Sequence, residues 1–322
     1  MGMVVGRWGW QIMERKQLTV PVVLLVYNRP ELTSRLLEIL RVVRPESVLV
    51  VADGPRADVP GDEEACAEVR AVVEKGIDWN ARVLKDYAEI NLGLRKRVSS
   101  GLSWAFQRVD RAIILEDDCL PHPSFFEFCA EMLERFEGDD RVCAISGDNF
   151  QREHFEAGAS YYFSRYPHCW GWATWRRAWQ MYDAEMTDWP RLRESGWLDG
   201  FLPERSALLW KNNFDHVYEQ KISSWYYPWV FTCWTRSLMA VLPTVNLVTN
   251  AGFGSDGTNC HKINSRLANR EVAEMNFPLR HPEAMVINEA ADEYYQRHYE
   301  RPRHWRKGLR LWWHNFRHRQ RA

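Results

Sequence analysis

Residues 112 to 126 read AIILEDDCLPHPSFF, an apolar run that ends in three consecutive carboxylates, Glu116, Asp117 and Asp118, and then in two prolines. The run AIIL has the length and branching of a buried strand. Adjacent like charges repel and desolvation of each is expensive, so the triplet is either the solvated end of that strand or a site that meets a cation or ligand. Further short, β-branched runs lie upstream: VPVVLLVYN (20–28), SVLVVADG (47–54) and ARVLKDYA (81–88). The segments between the first three, PELTSRLLEILRVV (30–43) and EEACAEVRAVVEKG (63–76), repeat their apolar residues at helical spacing. That alternation predicts an α/β fold with a mostly parallel central sheet flanked by helices. Such sheets bind ligands at the carboxyl ends of their strands, where Asn28, Asp53 and the acidic triplet all fall.

Composition limits the remaining classes. The chain has 322 residues, 46% hydrophobic and 26% charged, which is enough for a packed body and unlike a disordered segment. Seven cysteines are scattered without a Cys-x-x-Cys pair, so neither a disulfide framework nor a zinc site is expected. The first strand is not followed by a glycine-rich dinucleotide turn or a P-loop. It runs into YNRPELTS, where Pro30 opens a helix and Tyr27, Asn28 and Arg29 face the expected ligand. The first eighteen residues lack a continuous apolar segment and a small-residue cleavage site, so the protein is expected in the cytoplasm.

The net charge of −1 conceals an asymmetry. Residues 301 to 322 hold eight Lys or Arg and no acid, leaving 34 basic against 43 acidic residues, about −9, in the rest. Trp305, Leu309, Trp312, Trp313 and Phe316 recur there at helical spacing. That pattern predicts a basic amphipathic helix, docked on the body or lying peripherally on an anionic membrane face rather than on nucleic acid.

The second half is rich in aromatic residues. Of seventeen tryptophans, seven lie in YPHCWGWATWRRAW (166–179) and SSWYYPWVFTCW (223–234). Such rings either pack a core or stack on sugar faces. Gly171 between Trp170 and Trp172 suggests close backbone approach, which favours a site there. SGDNF (146–150) places Asp148 at another strand end.

The ordered segments VVLLVYNRPE, VVADGP, NLGLRKRV, ILEDDCLPHPSFFEF, WGWATW and VNLVTNAGFGSDGT, spanning roughly residues 20 to 260, resemble glycosyltransferases of the GT-A fold. The likeness is to a bacterial group similar to family 2 and to the inverting N-acetylglucosaminyltransferase I type, in which an acidic triplet replaces the Asp-x-Asp motif. The resemblance implies a nucleotide-diphosphate-sugar donor, UDP-sugar favoured, and a hydroxyl acceptor on a glycan or lipid-linked saccharide. It also implies a Mn²⁺ or Mg²⁺ cofactor, whose role would be to neutralise the leaving diphosphate. Asp118 would touch the metal with His261 completing its shell, and Glu116 and Asp117 would support through ribose or metal-bound water. Asp53 would bind base or ribose, Arg97 would pair with phosphate, and Asp148, Trp170, Trp172 and Trp225 would hold the acceptor. The implied organisation is an extension (1–18), a nucleotide-sugar half (19–150), an aromatic acceptor half of the same domain (151–285) and a basic helical tail (286–322).

An inverting transfer needs a base for the acceptor hydroxyl. The family's Asp beside the tryptophan of the segment reading KISSWYYPW is absent, since Ser223, Ser224 and Tyr226 stand there. Asp215 and Glu219 on a predicted helix, and Asp188 in MTDWP, are the nearest carboxylates. A catalytically inactive carbohydrate-binding homologue and a sugar nucleotidyltransferase are the other classes compatible with these residues.

Overall fold

The structure is a computed structural model that describes residues 17–151, 155, 158–253 and 270–300. The first half runs β1 (Val22–Val26), α1 (Pro30–Val43), β2 (Ser47–Ala52), α2 (Asp62–Gly76), β3 (Arg82–Tyr87), α3 (Leu94–Phe106) and β4 (Arg111–Glu116). It continues through β5 (Cys119–Pro121), α4 (Ser124–Arg135), β6 (Val142–Ser146), β7 (Tyr161–Ser164), β8 (Trp172–Trp175) and α5 (Arg176–Trp179). Then come α6 (Trp189–Glu194), α7 (Trp197–Phe201), α8 (Glu204–Tyr218), α9 (Tyr226–Thr235), β9 (Met239–Pro243), β10 (Val248–Asn250) and α10 (Glu289–Tyr299).

Among the described residues one eight-stranded sheet has the order β3-β2-β1-β4-β8-β6-β9-β7, and β10 pairs with β5 in a second, two-stranded sheet. The chain is α/β, with a Rossmann-like first half. Strands β3, β2, β1 and β4 are all parallel. Beyond them β8 is antiparallel to both β4 and β6, β6 and β9 are parallel, and β7 is antiparallel to β9. The parallel expectation therefore holds for the first half, while the second half is mixed.

The physical basis of the first half is local. Every residue of VVLLV in β1 is buried, as a central parallel strand covered on both faces requires. Pro30 occupies the first turn of α1, where its missing N–H costs nothing, and Leu36, Leu37 and Leu40 face the sheet. On one face Val22, Leu24 and Val26 pack with α1, α2 and the phenylalanines of α4. On the other, Val23 and Leu25 pack with α3, α5, Trp225 and Trp229 of α9. Each such side chain contributes about 1.5–3 kcal/mol on burial. A third cluster joins Tyr166 to α6, α7, α8 and α9.

The body extends past both sequence-based boundaries. The Leu18 N–H donates to the Val43 carbonyl at 3.1 Å, so the fold has begun before residue 19. At the other end Asn288 caps α10, and buried Asp292 accepts from the Ser164 hydroxyl at 2.5 Å and from Arg165 Nε at 3.0 Å. Residues 286 to 300 thus belong to the body and not to a separate tail. The basic segment 301–322 lies outside the described residues. Among the described residues no helix is long and apolar enough to cross a membrane.

Candidate functional site

The chain leaves β1 to build β2 and β3 on one side, then returns to place β4 on the other. The carboxyl ends of β1 and β4 therefore diverge at the point where doubly wound sheets open a ligand crevice. Leu25 of β1 is opposite Glu116 of β4, and the Asp117 N–H donates to the Leu25 carbonyl at 3.1 Å, so the register itself delivers the triplet to that crevice. Arg29, just after β1, bridges two of the acids: its Nη1 lies 3.2 Å from Asp117 Oδ1 and 2.8 Å from Asp118 Oδ2. The side chain of Arg29 remains 19% exposed. Burial, which would lower the basicity of its guanidinium, is outweighed by the two carboxylates, which hold it firmly charged.

Glu116 and Asp117 take the opposite shift. Burial first, and then the neighbouring Asp118 charge, raise both carboxyls well above the usual carboxylate range, with Arg29 opposing. The Trp225 side chain, as a neighbour, also opposes the rise of the Glu116 carboxyl. Asn250 Nδ2 donates to Asp118 Oδ1 at 3.2 Å, and the Ala251 N–H donates to the Asp118 carbonyl at 2.8 Å. Gly252 permits this approach, since a Cβ there would lie 2.1 Å from Asp118 Oδ2.

Several residues expected to face the donor are instead held by partners within the protein. Asp53 accepts from the N–H groups of Gly54, Leu92 and Gly93 and from the Asn91 amide, which fixes the loop leading into α3. Tyr27 donates its hydroxyl to Asp62, as does Asn28 its amide at 2.7 Å. Burial would raise the Asp62 carboxyl, but hydrogen bonds from Arg56, Tyr27 and Asn28 prevail and hold it below the usual range. Arg97 is buried, with Nε donating to the Ala52 carbonyl at 3.1 Å and Nη1 to Asp86 Oδ2 at 2.8 Å. Arg97 thereby ties α3 to β2 and β3, and Asp62 and Arg56, which the sequence did not single out, organise the turn after β1.

On the other side of β4 the tryptophans divide by burial. Trp172 and Trp225 are buried and stacked, with centroids 5.6 Å apart and planes 19° apart. Trp172 lies opposite Ile114, so its strand abuts the strand carrying Glu116. Trp170 is only partly buried and meets Phe150 and Phe253 edge-on at 5.3 and 5.5 Å. Gly171 between them has φ +62°, and a Cβ there would lie 2.7 Å from Val248 Cγ2, which accounts for the glycine. Asp148 is buried with its Oδ1 2.8 Å from His168 Nδ1. His168 was not singled out from the sequence; the only signal was its place two residues before Trp170 in YPHCWGW.

The three carboxylates expected as base have other surroundings. Glu219 follows α8 and pairs with Lys221 at 2.5 Å, which holds its carboxyl below the usual range, the reverse of what a base near neutrality needs. Asp188 pairs with Arg191 across one turn at 3.0 Å and is largely exposed. Asp215 accepts from the Trp189 indole at 3.0 Å and from Arg193 at 2.7 Å, which locks α6 to α8. Both oxygens of Asp118 and one of Asp117 already meet Arg29 or Asn250, and no group of three His, Cys, Asp or Glu among the described residues could hold a metal. His261 lies outside the described residues.

No family model matches the chain, and no curated protein matches it. Among solved structures it is similar to S. aureus TarS 1–349, at 10% identity and a TM-score of 0.42 over 73% of this chain and 60% of that one. It is also similar to 4-diphosphocytidyl-2C-methyl-D-erythritol synthase from Anaerococcus prevotii, at 9% identity and a TM-score of 0.32 over 51% of this chain and 73% of that one. A UDP-glucose pyrophosphorylase complexed with UDP-glucose follows at 11% identity and a TM-score of 0.30, over 51% of this chain and 78% of that one. The chain thus spans about 60% of the length of TarS 1–349.

Proposed function

We propose that this protein is a glycosyltransferase that moves a sugar, with inversion, from a nucleotide-diphosphate sugar to a hydroxyl of a glycan or lipid-linked saccharide, UDP-sugars being the favoured donors. The observation that supports this reading is Arg29 and the Glu116–Asp117–Asp118 triplet converging at the crevice between β1 and β4. Arg29, charged and partly open to solvent, pairs with the diphosphate and stabilises the charge that develops as it leaves. Glu116, held protonated toward neutral pH, offers a hydrogen-bond donor to a sugar or ribose hydroxyl. Trp170, the least buried of the site tryptophans, stacks on the acceptor. The basic segment 301–322 brings the protein to an anionic membrane face where lipid-linked acceptors reside.

The test is calorimetric titration with UDP-, GDP-, CDP- and dTDP-sugars, each in EDTA and in Mn²⁺, followed by product analysis. Binding of one donor class in EDTA, with a nucleoside diphosphate released on turnover, is the expected result. Arg29→Gln should weaken that binding by about 1.5–3 kcal/mol, the worth of a hydrogen bond to a charged group. Pyrophosphate release would establish a nucleotidyltransferase, and a strict Mn²⁺ requirement would place further ligands among residues 254–269. No binding of any donor would overturn the reading.

A further inference from the structure

The carboxyl rim of the sheet continues past the acidic triplet. Strand β8 is antiparallel to both β4 and β6, and β6 is parallel to β9, so β9 leaves the sheet on the same edge as β4. Strand β7 is antiparallel to β9 and therefore starts there, with Tyr161 opposite Pro243. Just beyond that pair lies a cleft of about 320 Å³, within the range of small-molecule sites, lined by Ser160 ahead of β7, Thr244 and Val245 after β9, and Met275, Asn276 and Arg280. In the order β4-β8-β6-β9 the cleft stands three strand spacings, about 14 Å, from the end of β4. Residues 244 to 250 lead from it to Asn250, whose Nδ2 bonds Asp118, a path of at most about 20 Å.

Hydrogen bonds within the protein build this cleft. The Ser160 N–H donates to the Arg280 carbonyl at 2.7 Å, and the Arg280 N–H donates back to Ser160 Oγ at 2.9 Å. The Ser160 carbonyl accepts from the Thr244 N–H at 3.1 Å and from the Thr244 hydroxyl at 3.0 Å. Buried Met275 donates its N–H to Ser124 Oγ at 2.9 Å, which ties the cleft to the start of α4. The side chains left over are donors. Arg280 is exposed, and its guanidinium forms no ion pair among the described residues; the neighbouring His281 is the group that faces Glu131, at 3.8 Å. Ser160 Oγ accepts from Arg280, so its O–H is left to donate, and exposed Asn276 adds an amide. No carboxylate lines the cleft. One cation and several neutral donors beside the apolar Val245 and Met275 match a ligand that carries a negative charge, acceptor oxygens and a carbon face. The exposure of Asn276 and Arg280 leaves the way in open.

We propose that this cleft is a distal acceptor subsite that holds the phosphate or carboxylate of an anionic saccharide, with Arg280 as its charged contact. Calling the ligand the acceptor rests on the glycosyl-transfer reading above. A saccharide anchored at Arg280 has to run along the rim to reach the crevice between β1 and β4, which takes more than one sugar unit. The preferred acceptor is therefore an anionic chain and not a single sugar. Its two points of attachment reinforce each other through effective concentration only when one molecule spans both. Arg280 stands far from the reacting bond, so it acts on which acceptor binds.

The experiment titrates the full chain calorimetrically with glucose 6-phosphate, glucuronate, glucose and inorganic phosphate. The two anionic sugars separate a phosphate ligand from a carboxylate, and binding of either supports the subsite. Arg280→Gln should weaken that binding roughly 10- to 150-fold, the worth of a hydrogen bond to a charged group. The backbone bonds of Arg280 survive the substitution, so the variant should fold and bind nucleotide sugar as the wild type does. Arg29→Gln, which alters the crevice, should leave the anionic sugars bound. In turnover, anionic oligosaccharides should be better acceptors than their neutral counterparts, an advantage that Arg280→Gln removes. The subsite is overturned by undiminished binding in Arg280→Gln, by loss of binding in Arg29→Gln instead, by glucose or inorganic phosphate binding as tightly as the anionic sugars, or by no binding of either anionic sugar. Anionic sugars held at Arg280 without binding of any nucleotide sugar would keep the cleft as a saccharide site and sink the transferase reading, and donor binding without them would do the reverse.

Discussion

At the carboxyl ends of β1, β2 and β4 the buried carboxylates are matched: Asp53 by backbone N–H groups, Asp62 by Arg56, Tyr27 and Asn28, Asp117 by Arg29 and the Tyr27 N–H. Across the β4–β8 pair the aromatic layer buries Trp172 Nε1, Trp229 Nε1 and His168 Nε2 with no partner among the described residues. The difference reflects what each group costs. An ionised carboxylate cannot be buried without compensation, so the strand-end edge is built as a closed set of ion pairs and turns. A neutral indole N–H amid aromatic rings loses only the energy of a neutral hydrogen bond, part of which ring faces return. One edge is therefore rigid through charge, and the other through packing with polar atoms to spare.

The largest effect that would sharpen this contrast is expected in the aromatic layer. Trp172, buried against Trp225, Trp179 and Trp229, should lose about 3–5 kcal/mol on Trp172→Ala, a large share of a typical domain's stability. Trp170→Ala should lose far less in urea unfolding and act mainly on acceptor affinity. Equal losses would mean that the two tryptophans serve the same packing role.

On the donor edge the expected losses are smaller and depend on pH. Asp62→Asn strips a buried acceptor from three donors and should cost roughly 1–3 kcal/mol at neutral pH. Because the Asp62 carboxyl is depressed in the fold, its contribution is present above the ordinary carboxylate range and lost as pH falls below it. The variant should accordingly show a flatter acid limb of stability. Glu116 has the opposite sign. Its raised carboxyl favours the fold while protonated, so stability falls as pH climbs from the ordinary carboxylate range through the raised one, and Glu116→Gln should remove that fall. Identical pH profiles in the two variants would contradict the assigned shifts.

The smallest effects belong to the outlying carboxylates. Glu219→Gln and Asp188→Asn disrupt exposed ion pairs and should change stability by less than about 0.5 kcal/mol, with sugar transfer at the parental rate. A large drop in turnover in either would bring that residue back as base.

What the sequence determined by itself is the part of the molecule in which neighbours in the chain decide the outcome. The β-branched runs and helical repeats of residues 20 to 118 became β1, α1, β2, α2, β3 and β4, because hydrophobic period and the Pro30 start signal act within a turn or a strand. The placement of Asn28, Asp53 and Glu116–Asp118 at strand ends followed from the same alternation. Only the tertiary structure decided the partner of each polar side chain. Arg97 met Asp86, and Arg29 met Asp117 and Asp118. It also decided that β8 enters antiparallel between β4 and β6, and that α10 folds back to set Tyr295 beside His168. The pairing of Arg29 with Asp117 and Asp118 joins residues 88 and 89 positions apart, and no local period encodes a contact made only when distant segments meet.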